Sequence, residues 1–219
     1  MFVSAFSLIL LREREPVIFV AFEGIDGAGL TTHARLTERF LESKGFRVVL
    51  TKEPTDGLVG GLIRACLRGE WRTDPMTLQL LFAADRSHHV STVILPALRS
   101  GRAVVTDRYL FSSLAYGSLD LDYEWLKLVN SRFPLPDVTF VLDIEPEVAL
   151  RRIREDRFAV ELFEELEKLE RVRAAYARIA REFANVHVVK TDDEVEEVQR
   201  RIEEVLERRL AELARRRGG

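Results

Sequence analysis

The stretch from residue 17 to residue 32 constrains the fold more than any other part of the chain. It opens with a short apolar run, which indicates a buried strand ended by Glu23. Three glycines follow within six residues and indicate a tight loop: Gly24, Gly27 and Gly29. From residue 32 to residue 43 the apolar side chains recur with the period of a helix. A strand, a glycine loop and a helix in this order favour a phosphate-binding loop, and a tight turn without a ligand is the alternative.

The loop matches the pattern G-x-x-x-x-G-K-[ST] at Gly24, Gly29 and Thr31, but Leu30 stands where the pattern has lysine. Main-chain N–H groups of such a loop surround phosphate oxygens at the N-terminus of a helix. The Thr31 hydroxyl is suited to bind Mg²⁺, whereas the cation that would bridge the outer phosphates is missing. The predicted phosphate site consists of Gly24, Ile25, Asp26, Gly27, Ala28, Gly29, Leu30, Thr31 and Thr32.

Length and composition limit the class of protein. A chain of 219 residues suits one α/β domain, which we place at residues 17–219 after an N-terminal extension of residues 1–16. A net charge of −3, spread over both signs, argues against nonspecific nucleic-acid binding. Cys66 is the only cysteine in the sequence, which excludes an internal disulfide and favours a cytoplasmic setting.

The apolar segment at residues 2–11 is about half as long as the ~20 residues that cross a bilayer. We expect no membrane partner. An extra edge element, a start codon assigned too early and membrane association remain the three explanations of this segment.

Apolar runs alternate with helical patterns along the rest of the chain. After the first strand, further strands are predicted at residues 46–50, 103–106, 138–144 and 185–189. Helices are predicted at residues 32–43, 58–67, 76–100 with a break near Pro96, 111–117, 123–133, from Pro146 onward, 162–183 and 192–217. This alternation predicts an α/β fold with a doubly wound, five-stranded parallel sheet flanked by helices.

Polar residues follow two of these strands and are expected at the carboxyl edge of the sheet, where open parallel sheets bind ligands. The loop after the second strand, residues 52–57, should face the same crevice as the glycine loop. The third strand ends in Asp107 and Arg108, which suit a ligand on the Mg²⁺ side and a phosphate-binding guanidinium. A buried Asp107–Arg108 ion pair that binds nothing is the alternative.

Two further patterns concern the helices. Phe82 and Arg86 are four residues apart, so a ring and a guanidinium share one helix face; core packing with a surface charge is the alternative. Four arginines within residues 151–157 suggest a basic lid, near residues 151–160, that closes over phosphates; a solvated charged helix is the alternative.

Taken together, these motifs resemble the thymidylate kinase family of phosphate-loop nucleoside-monophosphate kinases. The resemblance covers about residues 17–210. It rests on residues 22–29, 52–54, 82–86, 107–109 with Ser112, Ser113, Ala115 and Tyr116 behind them, and 154–157. It implies transfer of the γ-phosphoryl group of ATP to dTMP, giving dTDP, with Mg²⁺ as cofactor. It also implies a homodimer.

The resemblance assigns roles to individual residues. Phe82 would stack on thymine, Arg86 would donate to its O4 and Ser113 would lie near the base edge. Tyr116 would crowd the 2′ position, and Asp26 would accept from the 3′-hydroxyl. Arg108 would hold the acceptor phosphate with Lys52 and Arg64, beside Glu53 and Pro54. Thr31 and Asp107 would organise Mg²⁺, and Arg154 and Arg157 would close from the lid as catalytic residues.

The chain departs from the family pattern at two positions: Leu30 replaces the loop lysine, and Gly117 replaces the usual glutamine after the tyrosine. We hypothesise that Arg154 or Arg157 supplies the charge missing at position 30. Two other functions stay open. One is a nucleotide-binding protein with weak or lost phosphoryl transfer, and the other is a kinase for another nucleoside monophosphate.

Overall fold

The computed structural model describes residues 17–153 and 159–215. Its strands are β1 (Phe19–Gly24), β2 (Val48–Lys52), β3 (Ala103–Asp107), β4 (Val138–Asp143) and β5 (Val186–Lys190). Its α-helices are α1 (Leu30–Ser43), α2 (Leu58–Leu67), α3 (Pro75–His89), α4 (Leu95–Arg99), α5 (Leu110–Gly117), α6 (Tyr123–Asn130), α7 (Pro146–Ile153), α8 (Ala159–Glu182) and α9 (Val195–Arg215). The apolar segment at residues 2–11 lies outside the described residues.

The five strands form one parallel sheet in the order β2-β3-β1-β4-β5, which confirms the predicted fold class. β1 is buried along its whole length because it pairs with β3 on one side and with β4 on the other. Such a strand carries an almost continuous apolar run, as its sequence does. Helices cover both faces of the sheet: α1 packs with α9, and α5 packs with α8.

Most strand boundaries differ from those predicted by one or two residues, and two of the differences have a clear cause. Glu23 belongs to β1 and is fully buried, although a charged residue was expected to end the strand. β2 begins at Val48 and includes Lys52, two residues later than predicted. The reason is pairing: β3 supplies partners from Ala103 to Asp107, so the length of β2 is set by its neighbour.

The predicted helix over residues 76–100 is interrupted as expected, but earlier than Pro96. α3 ends at His89, a π-helical turn covers Val90–Ile94, and α4 follows. Pro96 lies in the first turn of α4, where a residue without an N–H is tolerated. The interruption of the helix therefore lies in the wider π-helical turn, before the proline.

The carboxyl ends of β1 and β3 meet at the point where the chain order in the sheet reverses. Gly24 ends β1 and Asp107 ends β3, and Asp107 pairs in register with Phe22 of β1. Open parallel sheets bind ligands at such a switch point. None of the helices within residues 17–153 and 159–215 has the length and apolar character needed to span a bilayer.

Candidate active site

The glycine loop joins β1 to α1 through backbone conformations that favour glycine. Gly24 has a φ of 151° and Gly29 a φ of 94°. A Cβ at Gly24 would lie 2.7 Å from the carbonyl oxygen of Leu142, so close approach also requires glycine there. Because α1 begins at Leu30, directly after the loop, its unpaired N–H groups lie at the end of the loop. This is the backbone arrangement that binds an anion at a helix N-terminus.

Leu30 occupies the position of the missing lysine and is turned into the protein. Its side chain is 6% exposed and belongs to the hydrophobic core. Its Cδ2 atom lies 3.4 Å from the point that a Cβ on Gly24 would occupy, so it packs against the start of the loop. Position 30 therefore contributes packing and no positive charge.

Thr31 and Asp107 meet in front of the loop. The Thr31 hydroxyl donates to Asp107 Oδ2 at 2.5 Å. A hydroxyl and a carboxylate fit Mg²⁺, which is commonly held by one or two protein oxygens together with substrate phosphates. Among the described residues no cluster of three or more His, Cys, Asp or Glu side chains could hold a metal ion by itself. A Mg²⁺ ion at this point would therefore take its other ligands from water and from a bound nucleotide.

Arg108 projects from the end of β3 toward the glycine loop. Its guanidinium donates to the Gly24 carbonyl at 2.9 Å, to Ser112 Oγ at 3.1 Å and to Asp26 Oδ1 at 2.7 Å. Its φ of 67° is unusual for a residue with a side chain, and such strain concentrates at functional sites. The alternative of an Asp107–Arg108 pair is wrong, because Arg108 pairs with Asp26 while Asp107 contacts Thr31.

Tyr116 completes this group beside the loop. Its hydroxyl donates to Asp26 Oδ2 at 3.3 Å, and its ring centroid lies 5.5 Å from the Arg108 guanidinium carbon. Burial raises the pKa of Tyr116 to about 12, so the phenol keeps its proton at neutral pH. A carboxylate, a guanidinium and a phenol thus form one contiguous polar group.

Glu23 lies beneath Arg108, and its contacts were not predicted. Its carboxylate accepts from the Tyr109 N–H at 3.0 Å, from Ser112 Oγ at 2.5 Å and from Tyr176 Oη at 3.1 Å. Burial raises the pKa of Glu23 to about 7, although the Ser112 hydrogen bond and the charge of Arg108 act in the opposite direction. Ser112 bonds both Glu23 and Arg108, so it links the buried carboxyl to the guanidinium.

Arg86 lies in a second polar group between α3, α5 and α6. Only 1% of it is exposed, so the alternative of a surface charge at this position is wrong. It donates from Nε to Glu53 at 2.9 Å and from Nη2 to Ser113 Oγ at 3.1 Å. It also bonds Asn130 Oδ1 and the Tyr109 carbonyl. Phe82 lies one turn earlier on α3 and is half-buried, which leaves part of its ring accessible.

Glu53 organises the polar residues behind Arg86. Besides Arg86, its carboxylate contacts His89 Nδ1 at 3.0 Å, and His89 Nε2 lies 2.7 Å from Thr51 Oγ1. His88, by contrast, is exposed. The two adjacent histidines therefore have separate surroundings, as their helical spacing predicts.

The loop after β2 shares a cleft with the first turn of α1 and the end of β3. The cleft has a volume of about 480 Å³, and its lining includes Thr31, Lys52, Asp56 and Asp107. Lys52 Nζ lies 3.1 Å from Asp56 Oδ1. The Arg64 guanidinium donates to the carbonyls of Pro54, at 3.4 Å, and Thr55.

The two arginines that were predicted to act from the lid, Arg154 and Arg157, lie outside the described residues. Arg152 lies at the end of α7 and was not among the predicted site residues. It donates to the Thr191 carbonyl at 3.2 Å and contacts the Gly27 carbonyl at 3.5 Å. Its place in the predicted arginine run was the only signal for this contact with the glycine loop.

The chain is similar in sequence to known proteins. The family model described as thymidylate kinase matches residues 22–202. A probable thymidylate kinase of Pyrococcus horikoshii is 41% identical over 186 residues, which cover 82% of this chain and 91% of the relative. The probable thymidylate kinase of Pyrococcus abyssi is 41% identical over 201 residues, which cover 89% of this chain and 98% of the relative.

A solved structure extends the similarity to the fold. The crystal structure of thymidylate kinase from Ehrlichia chaffeensis superposes with a TM-score of 0.71 at 27% sequence identity. The match covers 87% of this chain and 98% of that chain.

Proposed function

The chain belongs to the thymidylate kinase family, and we propose that it transfers the γ-phosphoryl group of ATP to the 5′-phosphate of dTMP, giving dTDP. The observation that carries this proposal is the arrangement around the glycine loop. Thr31 and Asp107 meet at 2.5 Å in front of the loop, and Arg108 reaches the carbonyl of its first glycine. A group that suits a metal-bound triphosphate therefore adjoins a guanidinium that suits a second phosphate.

On the donor side, the main-chain N–H groups of residues 24–32 bind the triphosphate. Thr31 and Asp107 would hold Mg²⁺, which would supply positive charge beside the phosphates. Arg152 borders the nucleotide from α7, because it contacts the Gly27 carbonyl of the loop. These groups are fixed before ATP arrives, so little reorganisation is needed.

On the acceptor side, Arg108 binds the 5′-phosphate and exchanges its hydrogen bond with Asp26 for one with the substrate. Asp26 accepts from the 3′-hydroxyl, and the Tyr116 ring crowds the 2′ position. Phe82 stacks on the base while Arg86 and Ser113 lie at its edge. Lys52, Pro54 and Arg64 border this acceptor site, and the buried Glu53 supports it from behind Arg86.

Leu30 leaves the β- and γ-phosphates without the usual cation, which weakens transition-state stabilisation. Arginine fingers in related chemistry contribute ~10³-fold or more, so the loss is large unless another group compensates. We propose that Arg154 or Arg157 compensates from the lid. Replacing each by alanine should abolish phosphoryl transfer, and an unchanged rate in both variants would discard the idea.

The buried Leu30 also supports a second candidate function, a nucleotide-binding protein with weak phosphoryl transfer. A coupled assay with ATP, Mg²⁺ and a panel of dTMP, dUMP, dCMP, dAMP and dGMP distinguishes the two. We expect turnover with dTMP well above that with the purines. Calorimetric binding of ATP and dTMP without turnover would support the second function, and binding of neither would refute both.

Several large apolar side chains on α2 and α3 are exposed, and we propose that they form a homodimer interface. α2 packs on α3, and the exposed residues are Leu58, Leu62, Leu67, Met76 and Leu80, with Leu58 92% exposed. Light scattering should give twice the chain mass for the wild type and a monomer for Leu62→Glu. A monomeric wild type at micromolar concentration would contradict the proposal.

A further inference from the structure

Gln79 on α3 is a buried glutamine whose amide oxygen has no partner. Its side chain is 7% exposed, and Oε1 contacts no hydrogen-bond donor within the described part of the chain. Buried polar atoms in folded proteins are nearly always paired, because an unpaired one costs free energy. The amide oxygen of Gln79 is therefore free to accept a hydrogen bond from a ligand.

The position of Gln79 relates it to the proposed acceptor site. Gln79, Phe82 and Arg86 are spaced i, i+3 and i+7, so they follow one face of α3. At one end of this row Arg86 contacts Ser113 of α5. At the other end the amide carbon of Gln79 lies 3.1 Å from the point that a Cβ on Gly117 of α5 would occupy. Phe82 lies between these two contacts along the helix.

Gly117 leaves the space that the Gln79 amide occupies. A Cβ at position 117 would also lie 2.9 Å from Leu126 Cδ2 and 3.0 Å from Leu126 Cδ1, and Leu126 is fully buried. α5 therefore has no room for a polar side chain at this point in the present packing. The amide that faces this space comes from α3 instead.

We propose that Gln79 determines base specificity by binding N3 and O2 of the acceptor pyrimidine. This inference rests on the proposed function, because it requires a pyrimidine monophosphate stacked on Phe82 with O4 near Arg86. Gln79 Oε1 accepts from the base N3–H, and Nε2 donates to O2. In this contact N3–H and O2 of the base both have hydrogen-bond partners, and the buried Gln79 Oε1 gains the donor that it lacks.

The chemistry of this contact favours thymine and uracil over cytosine. Thymine and uracil present a donor at N3 and an acceptor at O2, which match one carbonyl and one amino group. Cytosine presents acceptors at both positions, so the amide oxygen opposes a lone pair whichever way the amide is rotated. Gln79 therefore rejects dCMP and does not distinguish dTMP from dUMP.

The test compares Gln79→Met with Gln199→Met. Methionine keeps a flexible, unbranched side chain of similar length and removes the amide. Gln199 is also a buried helical glutamine, but its amide is paired with His33 and Glu203. Steady-state kcat/KM for dTMP, dUMP and dCMP, and calorimetric binding of the same three nucleotides, are measured for both variants and the wild type.

We expect Gln79→Met to lower kcat/KM for dTMP and dUMP in parallel by about ten- to a hundredfold and to reduce the preference for dTMP over dCMP similarly. Its melting temperature should not fall, because no hydrogen bond within the protein is lost. Gln199→Met should melt at a lower temperature and keep the wild-type ratio of dTMP to dCMP. If Gln79 has only a structural role, Gln79→Met should melt at a lower temperature and keep the wild-type ratio of dTMP to dCMP.

An unchanged dTMP to dCMP ratio in Gln79→Met, by kinetics and by binding, would overturn the proposal. So would a fall in affinity for dTMP that dUMP does not share. If the wild type neither binds nor phosphorylates any pyrimidine monophosphate, the proposed function itself fails. If the wild type is active and Gln79→Met keeps its specificity, only the proposal for Gln79 fails.

Discussion

Replacing Glu23 by glutamine should change how the stability of the protein depends on pH. Glu23 is fully buried at the end of β1, where three hydrogen-bond donors contact its carboxyl. Burial disfavours the charged form and raises its pKa from an ordinary value of 4.5 to about 7. Glutamine has nearly the same shape and keeps a carbonyl acceptor, but it does not titrate.

The sign of the effect follows from proton binding. Between pH 4.5 and about pH 7 the folded protein holds a proton on Glu23 that the unfolded chain has released. The free energy of unfolding of the wild type therefore falls as the pH rises through this window. A pKa that rises from 4.5 to about 7 corresponds to about 3 kcal/mol. Glu23→Gln should gain stability relative to the wild type by up to this amount between pH 5 and pH 8.

Urea unfolding at pH 5, 6, 7 and 8 measures the difference directly, provided that the m-value stays constant. Ser112→Ala is a matched control, because it removes a hydrogen bond that lowers the pKa of Glu23 and leaves the carboxyl in place. It should extend the fall in stability to higher pH than in the wild type, because the pKa of Glu23 rises further. A stability difference between Glu23→Gln and the wild type that stays constant from pH 5 to pH 8, or shrinks with rising pH, would refute the reasoning.

Three further predictions concern phosphoryl transfer. Leu30→Lys should raise kcat about tenfold or more, because it supplies a positive charge at the loop position where the family pattern has one for the β- and γ-phosphates. Asp107→Asn should lower kcat about a hundredfold and raise the Mg²⁺ concentration needed for half-maximal rate, since the carboxylate that contacts Thr31 is lost. Tyr116→Ala should reduce the preference for dUMP over UMP about tenfold, because the ring that crowds the 2′ position is removed.

Two of these predictions have a control variant of similar shape, and the third has a second readout. Leu30→Met extends the side chain without charge, so a rise equal to that of Leu30→Lys would show that charge is not the cause. If Asp107→Asn leaves the Mg²⁺ concentration for half-maximal rate unchanged, Asp107 is not a metal ligand. Tyr116→Phe keeps the ring and loses the bond to Asp26; equal loss of sugar preference in both Tyr116 variants would assign the preference to the hydroxyl instead.

The sheet and the glycine loop could be predicted because local sequence determines them. Five apolar runs separated by helical periods leave few alternatives to a parallel sheet, and closely spaced glycines mark a loop that needs positive φ. The ends of the helices were harder to predict. The end of α3 at His89 depends on a change of hydrogen-bond register over Val90–Ile94, whereas Pro96 alone suggested a later break.

Side-chain partners in the site could not be predicted, because they depend on contacts between distant elements. Asp107 and Arg108 are adjacent in sequence, yet Asp107 contacts Thr31 and Arg108 contacts Asp26. Glu23 appeared to end a strand, but packing of α5 and α8 supplies donors that let it remain inside. Gln79 was not predicted to belong to the site, because its proposed role depends on a contact with Gly117 of α5, which is distant in sequence.

The central place of β1 has a consequence for synthesis of the chain on the ribosome. β1 is the first described strand to be made, but its neighbours β3 and β4 are made only after α1, β2, α2, α3 and α4. At ~5–20 residues per second, an apolar strand with two open edges waits on the order of several seconds for its first partner. The nascent chain is therefore most prone to aggregation before Asp107 emerges, and chaperone capture should be strongest in that interval.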